Sequence, residues 1–310
     1  MLGPDATDRP VTRREAIRTG AGVSSSVVAA LALGSIPVAL AAFARQASAQ
    51  APVTVRGVLE FAYLLENLEA EFYKAVLGES ATAAQNTAFA AVRAAITPDV
   101  RLLASLRQIR KHEVAHVAFL KAAITALGGA PATYTGAEFD FTGGNGTGTG
   151  PFASVKSDPV FLLAIAQMFE DVGVRAYKGQ LDKLMSDEPT LTAALRIHSV
   201  EGRHAARIRQ LRNLGPVKPW IINLDVTNAT PAVATITFPA SVTGTALTAG
   251  NAIVARAYVR ENNTIHNGTD MAGLGSNTGG SAGVTEAFDE PLTYDDVIFV
   301  IKDFVIGTTP

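Results

Sequence analysis

His112-Glu113-Val114-Ala115-His116 and His198-Ser199-Val200-Glu201-Gly202-Arg203-His204 are the stretches on which the reading of this chain turns. Each holds a glutamate followed three residues later by a histidine, Glu113/His116 and Glu201/His204. On a helix that spacing puts both side chains on one face, a turn apart, within reach of one metal ion or an ion pair. Apolar residues around both stretches recur at helical spacing, with start and stop signals at the ends. One helix is expected to begin after Thr97-Pro98, a cap followed by proline, and to end at Gly128-Gly129. The other opens near Asp187-Glu188-Pro189 and ends at Gly215-Pro216.

Two more helices accompany them. Residues 55–77 stop at Gly78, and residues 157–185 open on Ser157-Asp158-Pro159; a shorter helical piece over 85–95 fills the first connection. These two helices match each other: Glu66 lies seven residues before Tyr73, and Glu170 seven before Tyr177. Seven residues are two turns, so each glutamate shares a face with its tyrosine. Both glutamates sit in apolar surroundings, Leu64-Leu65-Glu66 and Met168-Phe169-Glu170. An ionised carboxylate facing inward is costly unless it is paired or bound to metal. The order Glu, Glu-x-x-His, Glu, Glu-x-x-His thus repeats a two-helix unit, and supplies four carboxylates and two imidazoles. That is the donor set of di-iron and di-manganese carboxylate bundles. Four carboxylates balance two divalent ions, and hard oxygen with imidazole suits Fe, Mn or Zn rather than Cu(I).

The connection between the second and third helices is long and carries Gly143-Gly144-Asn145-Gly146-Thr147-Gly148-Thr149-Gly150. It lacks the Lys-Ser/Thr and the preceding strand of a phosphate-binding loop, and reads as a flexible crossover. A mainly α chain with a four-helix bundle and one long central crossover has the ferritin-like arrangement. After Gly215 the runs 220–224, 232–238 and 252–259 alternate Thr, Val and Ile, which predicts strands. A stretch rich in Gly, Asn and Thr follows over 262–283, and Leu292-Thr293-Tyr294-Asp295-Asp296 caps a last short helix to about Phe304. Residues 50–215 are therefore expected to form the bundle, and 216–310 a small β-rich appendage packed against it.

The first 49 residues read as an address. Thr12-Arg13-Arg14 precedes a weakly hydrophobic run over 23–43, then Ala47-Ser48-Ala49. Paired arginines, an apolar segment and an A-x-A site resemble a twin-arginine export signal, which predicts a periplasmic or extracellular protein. The alternative is a retained membrane anchor, which the Gly and Ser content and Pro37 disfavour. The whole chain has 310 residues, 48% of them hydrophobic, so it can bury a core. A net charge of -2, with Lys and Arg scattered, lacks the basic footprint of a nucleic-acid binder. Without cysteine there is no disulfide, thiolate nucleophile, Fe–S cluster or Cys-bound zinc.

The chain resembles the ferritin-like superfamily, and within it the exported, desiccation-related ferritin-like proteins. The resemblance is carried by Leu65-Glu66-Asn67-Leu68-Glu69-Ala70-Glu71-Phe72-Tyr73 on the first helix and Glu201-Gly202-Arg203-His204-Ala205 on the fourth. In the tail, Arg260-Glu261-Asn262-Asn263-Thr264 and Glu286-Ala287-Phe288-Asp289-Glu290-Pro291-Leu292 carry it as well. It implies two Fe or Mn ions held by Glu66, Glu113, His116, Glu170, Glu201 and His204, with Tyr73 and Tyr177 beside the site as hydrogen-bonding or redox-active groups. For the tyrosines, plain core packing is the competing reading. Glu69 is expected to accept a hydrogen bond near the site, Glu71 to point to solvent, and His112 and His198 to lie on partly exposed helix faces, the alternative being that they relay protons or hold a ligand one turn away.

Three functions compete. An oxidoreductase would take O2 or H2O2 at the metal pair, as a ferroxidase or a manganese catalase does. A non-enzymatic exported protein would sequester metal or protect the envelope during drying. A zinc protease would use His112-Glu113-Val114-Ala115-His116 as a literal H-E-x-x-H, but leaves Glu66, Glu170 and Glu201/His204 unexplained. Metal ions with O2 or H2O2 are the expected partners, with no nucleic acid, no membrane span once the signal is removed, and a homo-oligomer left open.

Overall fold

The computed structural model describes residues 54–212, 240–261, 263–266, 268–274 and 280–307. The expected export signal over 1–49 and the expected strands at 220–224 and 232–238 lie outside these residues. Helix α1 (Val55–Leu77) starts on Thr54, whose side chain accepts from the Gly57 amide at 3.0 Å, and stops where Gly78 turns left-handed at φ 76. The first connection holds two short helices, α2 (Ala83–Ala88) and α3 (Ala90–Ile96). Helix α4 (Val100–Ala126) begins two residues later than the Thr97-Pro98 signal suggests. Asp99 caps it, accepting from the Leu102 amide at 2.9 Å, because a carboxylate is a strong acceptor for a free helix amide. Helix α5 (Pro159–Gln180) opens on Asp158 with proline in its first turn, and tightens into a 3-10 turn, Leu181–Leu184. Helix α6 runs Glu188–Arg212.

Packing pairs α1 with α4 and α5 with α6. Helices α1 and α5 are buried almost all round, as their near-continuous apolar faces require. Phe72 anchors one part of the core, with edge-on contacts to Phe89, Phe141 and Phe169 at centroid distances of 6.1, 5.5 and 5.3 Å. A second apolar cluster gathers Val58, Tyr63, Leu120, Ile124 and Ile197. Along α4, Leu106 and Ile109 belong to the first cluster and Leu120 and Ile124 to the second. Along α6, Ile208 belongs to the first and Ile197 to the second. The Glu-x-x-His pairs fall in the gap between.

The crossover is built rather than loose. The Asp140 carboxylate accepts from the amides of Thr142, Gly146 and Gly148 at 3.0, 3.0 and 2.8 Å and from the Thr142 hydroxyl at 2.6 Å. Burial pushes the Asp140 carboxyl up, but these donors together hold it below the usual carboxylate range. Glycine is needed at 143, 146 and 148 because each turns left-handed, at φ 67, 92 and 69. Asp140→Ala removes the centre of this loop and is expected to cost about 2 kcal/mol, from the loss of charged hydrogen bonds, measured by chemical denaturation.

After residue 240 the described chain is mainly helical. Residues 252–259, expected as a strand, lie largely in α7 (Gly244–Ala257). Gly250, Ile253, Val254 and Ala257 form one buried helical face, a period that the short Val/Ile window hides. Among the described residues the paired strands are the two-residue β1 (Ile265–His266) and β2 (Thr269–Asp270). Helices α8 (Gly280–Ala287) and α9 (Tyr294–Ile301) follow, the latter opened by a reciprocal Thr293/Asp296 cap. This region docks on α5. The buried Arg175 side chain donates to the carbonyls of Ala257, Val259 and Glu290 and lies 2.8 Å from Glu261. Arg209 forks onto Asp171, which also accepts from the Tyr258 hydroxyl at 2.8 Å. Among the described residues no helix is long and apolar enough to cross a membrane.

Candidate metal centre

The four bundle helices bring Glu66, Glu113, His116, Glu170, Glu201 and His204 into one buried cluster. The donor atoms fall into two groups: Glu66, Glu113, His116 and Glu201, and Glu113, Glu170, Glu201 and His204. Within each group the atoms lie within 4.8 Å of one another, and Glu113 and Glu201 belong to both. The four carboxylates are 0–1% exposed. His116 Nδ1 sits 2.9 Å from Glu66, 3.1 Å from Glu113 and 3.1 Å from Glu201. His204 Nδ1 sits 2.7 Å from Glu113, 3.2 Å from Glu170 and 3.5 Å from Glu201.

The profile of the ferritin-like domain family matches residues 54–214. The chain belongs to the ferritin-like domain family. No curated protein and no solved structure matches it significantly.

The cluster is typical of a ferritin-like dimetal site, and its chemistry fits metal. Glu113 Oε1, Glu170 Oε2, both oxygens of Glu201 and His204 Nδ1 are buried without hydrogen-bond partners. His204 Nδ1 and Glu113 Oε1 are close enough to attract, yet are not aligned as donor and acceptor. Buried polar atoms left this way cost free energy, and two divalent ions would satisfy them. Without ions the ferritin-like bundle manages its charge by protons. Burial, then the Glu201 charge, pushes Glu113 well above the usual carboxylate range, and burial takes Glu170 to about 7. Burial also works against Glu201, but the charged His116 and His204 imidazoles, 3.1 and 3.5 Å away, bring it down to about 2. Both imidazoles are held charged: burial opposes it, and the surrounding carboxylates outweigh burial.

The tyrosines cross between the helix pairs. Tyr73 on α1 donates to Glu170 on α5, and Tyr177 on α5 donates to Glu66 on α1 at 2.6 Å. Burial first, then the carboxylate that each touches, pushes both phenols well up. They are not merely core packing. Glu71, expected in solvent, is buried and accepts from Lys74 at 2.6 Å and Ser80 at 3.4 Å. The Ser80 turn folds back over that face of α1, which the helix pattern does not show.

His112 stands outside both donor groups. Its Nδ1 is 2.9 Å from His204 Nε2, and its Nε2 is 2.5 Å from the exposed Gln108 amide. It orients the His204 ring from behind, which leaves His204 Nδ1 facing the carboxylates. A protease-type site would need His112 and His116 on one ion, and no donor group among the described residues holds both. His112→Ala is expected to retain both ions at saturating metal, with binding weaker by about tenfold, as read by metal titration. His198 is half-buried, with its Nε2 unpartnered.

Proposed function

We propose that this chain holds two iron or manganese ions and uses them for redox protection outside the cytoplasm, either ferroxidase-like or by removing peroxide. One ion would be held by Glu66 and His116, the other by Glu170 and His204, with Glu113 and Glu201 shared. The observation that carries this reading is the overlap of the two donor groups on those two glutamates. Such a pair supplies Lewis-acid and redox chemistry to O2 or H2O2. The chain's own residues hold the four carboxylates out of water and fix two of them through the crossed Tyr73–Glu170 and Tyr177–Glu66 hydrogen bonds. The two phenols are placed to hold a proton beside a carboxylate at each end of the site. The paired arginines and A-x-A site, and the likeness of the motifs to exported desiccation-related proteins, support the location and a role in stress.

The test is elemental analysis of the mature protein purified without chelator or His tag, followed by assays of Fe(II) oxidation and of peroxide loss. About two Fe or Mn per chain with sustained turnover is the expected result. The depth of the site favours a second reading, metal sequestration without turnover, since only His116 among the six reaches solvent appreciably, at 12% side-chain exposure. A filled but inert centre would establish that reading. No metal after anaerobic incubation with Fe(II) or Mn(II) would end both.

A further inference from the structure

The two halves of the bundle correspond residue by residue along α1 and α5. Glu66 matches Glu170 and Tyr73 matches Tyr177, and their hydrogen bonds are exchanged between the halves. Three residues on from each glutamate the match breaks: α1 has Glu69 where α5 has Gly173. These two positions meet in space. A Cβ on Gly173 would lie 3.1 Å from Glu69 Oε1 and 3.6 Å from Glu201 Oε2. Two carboxylate oxygens thus approach the same volume over a glycine that offers no side chain.

Each residue is poorly explained by folding alone. Glu69 is 4% exposed, and makes no hydrogen bond to any described residue. Its carboxyl is held well above its ordinary range, first by burial and then by the charges of Glu201, Glu170, Glu66 and Glu113, in that order. A glycine inside a helix costs about 1 kcal/mol relative to alanine, and this one keeps Glu69 beside Glu201. The unpartnered oxygens of Glu201 and Glu170 face the same centre.

Resting on the dinuclear reading above, we propose that Glu69 is a fifth carboxylate of the centre. It reaches the ion held by Glu170 and His204 through the space that Gly173 leaves open. The ion held by Glu66 and His116 has no counterpart to it, because glycine occupies the matching position. The two ions are therefore inequivalent: one has an additional anionic oxygen donor from the protein, and the other keeps that position open.

Titration of the metal-free full-length protein with Co(II), followed by visible absorption, tests this. The wild type is expected to take up two ions in two steps of different affinity. Glu69→Gln should still bind two, with one step weakened about tenfold or more and a more intense visible band, because that ion has lost a donor. Gly173→Ala, which raises helix propensity and removes no donor residue, should move affinity and spectrum the same way by displacing Glu69. Glu71→Gln, which alters a neighbouring buried carboxylate paired to Lys74, should change neither. Glu69→Gln matching the wild type in both affinity and spectrum overturns the proposal and leaves the metal pair standing. So does a change in Glu71→Gln as large as that in Glu69→Gln. A wild type that binds no Co(II) overturns the metal pair and the proposal with it.

Discussion

Glu113→Ala and Glu201→Ala are each expected to abolish loading of the metal pair, taking the content from about two ions per chain to near none. The reason is position rather than charge. Glu113 and Glu201 are the two residues common to both donor groups, so removing either takes a donor from both ions at once. Glu66 and Glu170 belong to one group each. Their alanine variants should therefore keep about one ion. Elemental analysis after dialysis against metal reads all four. Retention of both ions in Glu113→Ala would remove the shared-carboxylate arrangement. If His112→Ala emptied the site while Glu201→Ala left it filled, the protease-type arrangement would regain its place.

Removing the metal should lower the melting temperature substantially. A ligand held at a hundred times its dissociation constant stabilises the folded state by about 2.7 kcal/mol, so two ions contribute about 5 kcal/mol. For a domain of this size that is a shift of roughly 10–20 °C, read by calorimetry with and without chelator. The pH dependence should also reverse. In the metal-free bundle Glu170 is raised to about 7, Glu69 and Glu113 are raised well, and both imidazoles are raised. Groups raised on folding bind protons more tightly in the folded state, so their stabilisation is complete at low pH and is lost as pH rises. Loss should begin above about 4.5 for the carboxyls and above about 6.5 for the histidines. Glu201, lowered to about 2, acts oppositely and loses its contribution only as pH falls below the ordinary carboxylate range. Loaded protein should instead gain stability as pH rises through the same window, because ligands must be deprotonated to bind metal. A metal-free protein that melts no lower than the loaded one would exclude a buried metal pair.

Much of the bundle was legible because its signals are local. Gly78, Asp158-Pro159 and the apolar periods of α1, α4, α5 and α6 report on their own neighbourhoods, and local capping chemistry decided those ends. The inward placement of Glu113/His116 and Glu201/His204 was legible for the same reason, since a spacing of three residues fixes a shared helical face, and Glu66 and Glu170 stood out as glutamates inside apolar runs. The misreadings were non-local. Residues 252–259 look like a strand in a short window, and their helical face shows only when Gly250 is included and α5 is there to receive it. Glu71 looks solvated until the Ser80 turn folds over it. The Gly-rich crossover looks slack until Asp140 gathers its amides, and residues 303–306 pair with it through Asn145, Asp140 and Glu138.

The sequence by itself determined four helices, the apolar face of each, and the pairing of four glutamates and two histidines at helical spacing on them. Tertiary structure alone decided that Glu113 and Glu201 are shared, that each tyrosine serves the other half's glutamate, and that Gly173 lies over Glu69. The physical reason is that a helix repeat specifies direction about one axis only. Which side chains meet depends on how four such axes pack, and that is set by the apolar clusters on either side of the centre and by the segments that cover α1 and α5.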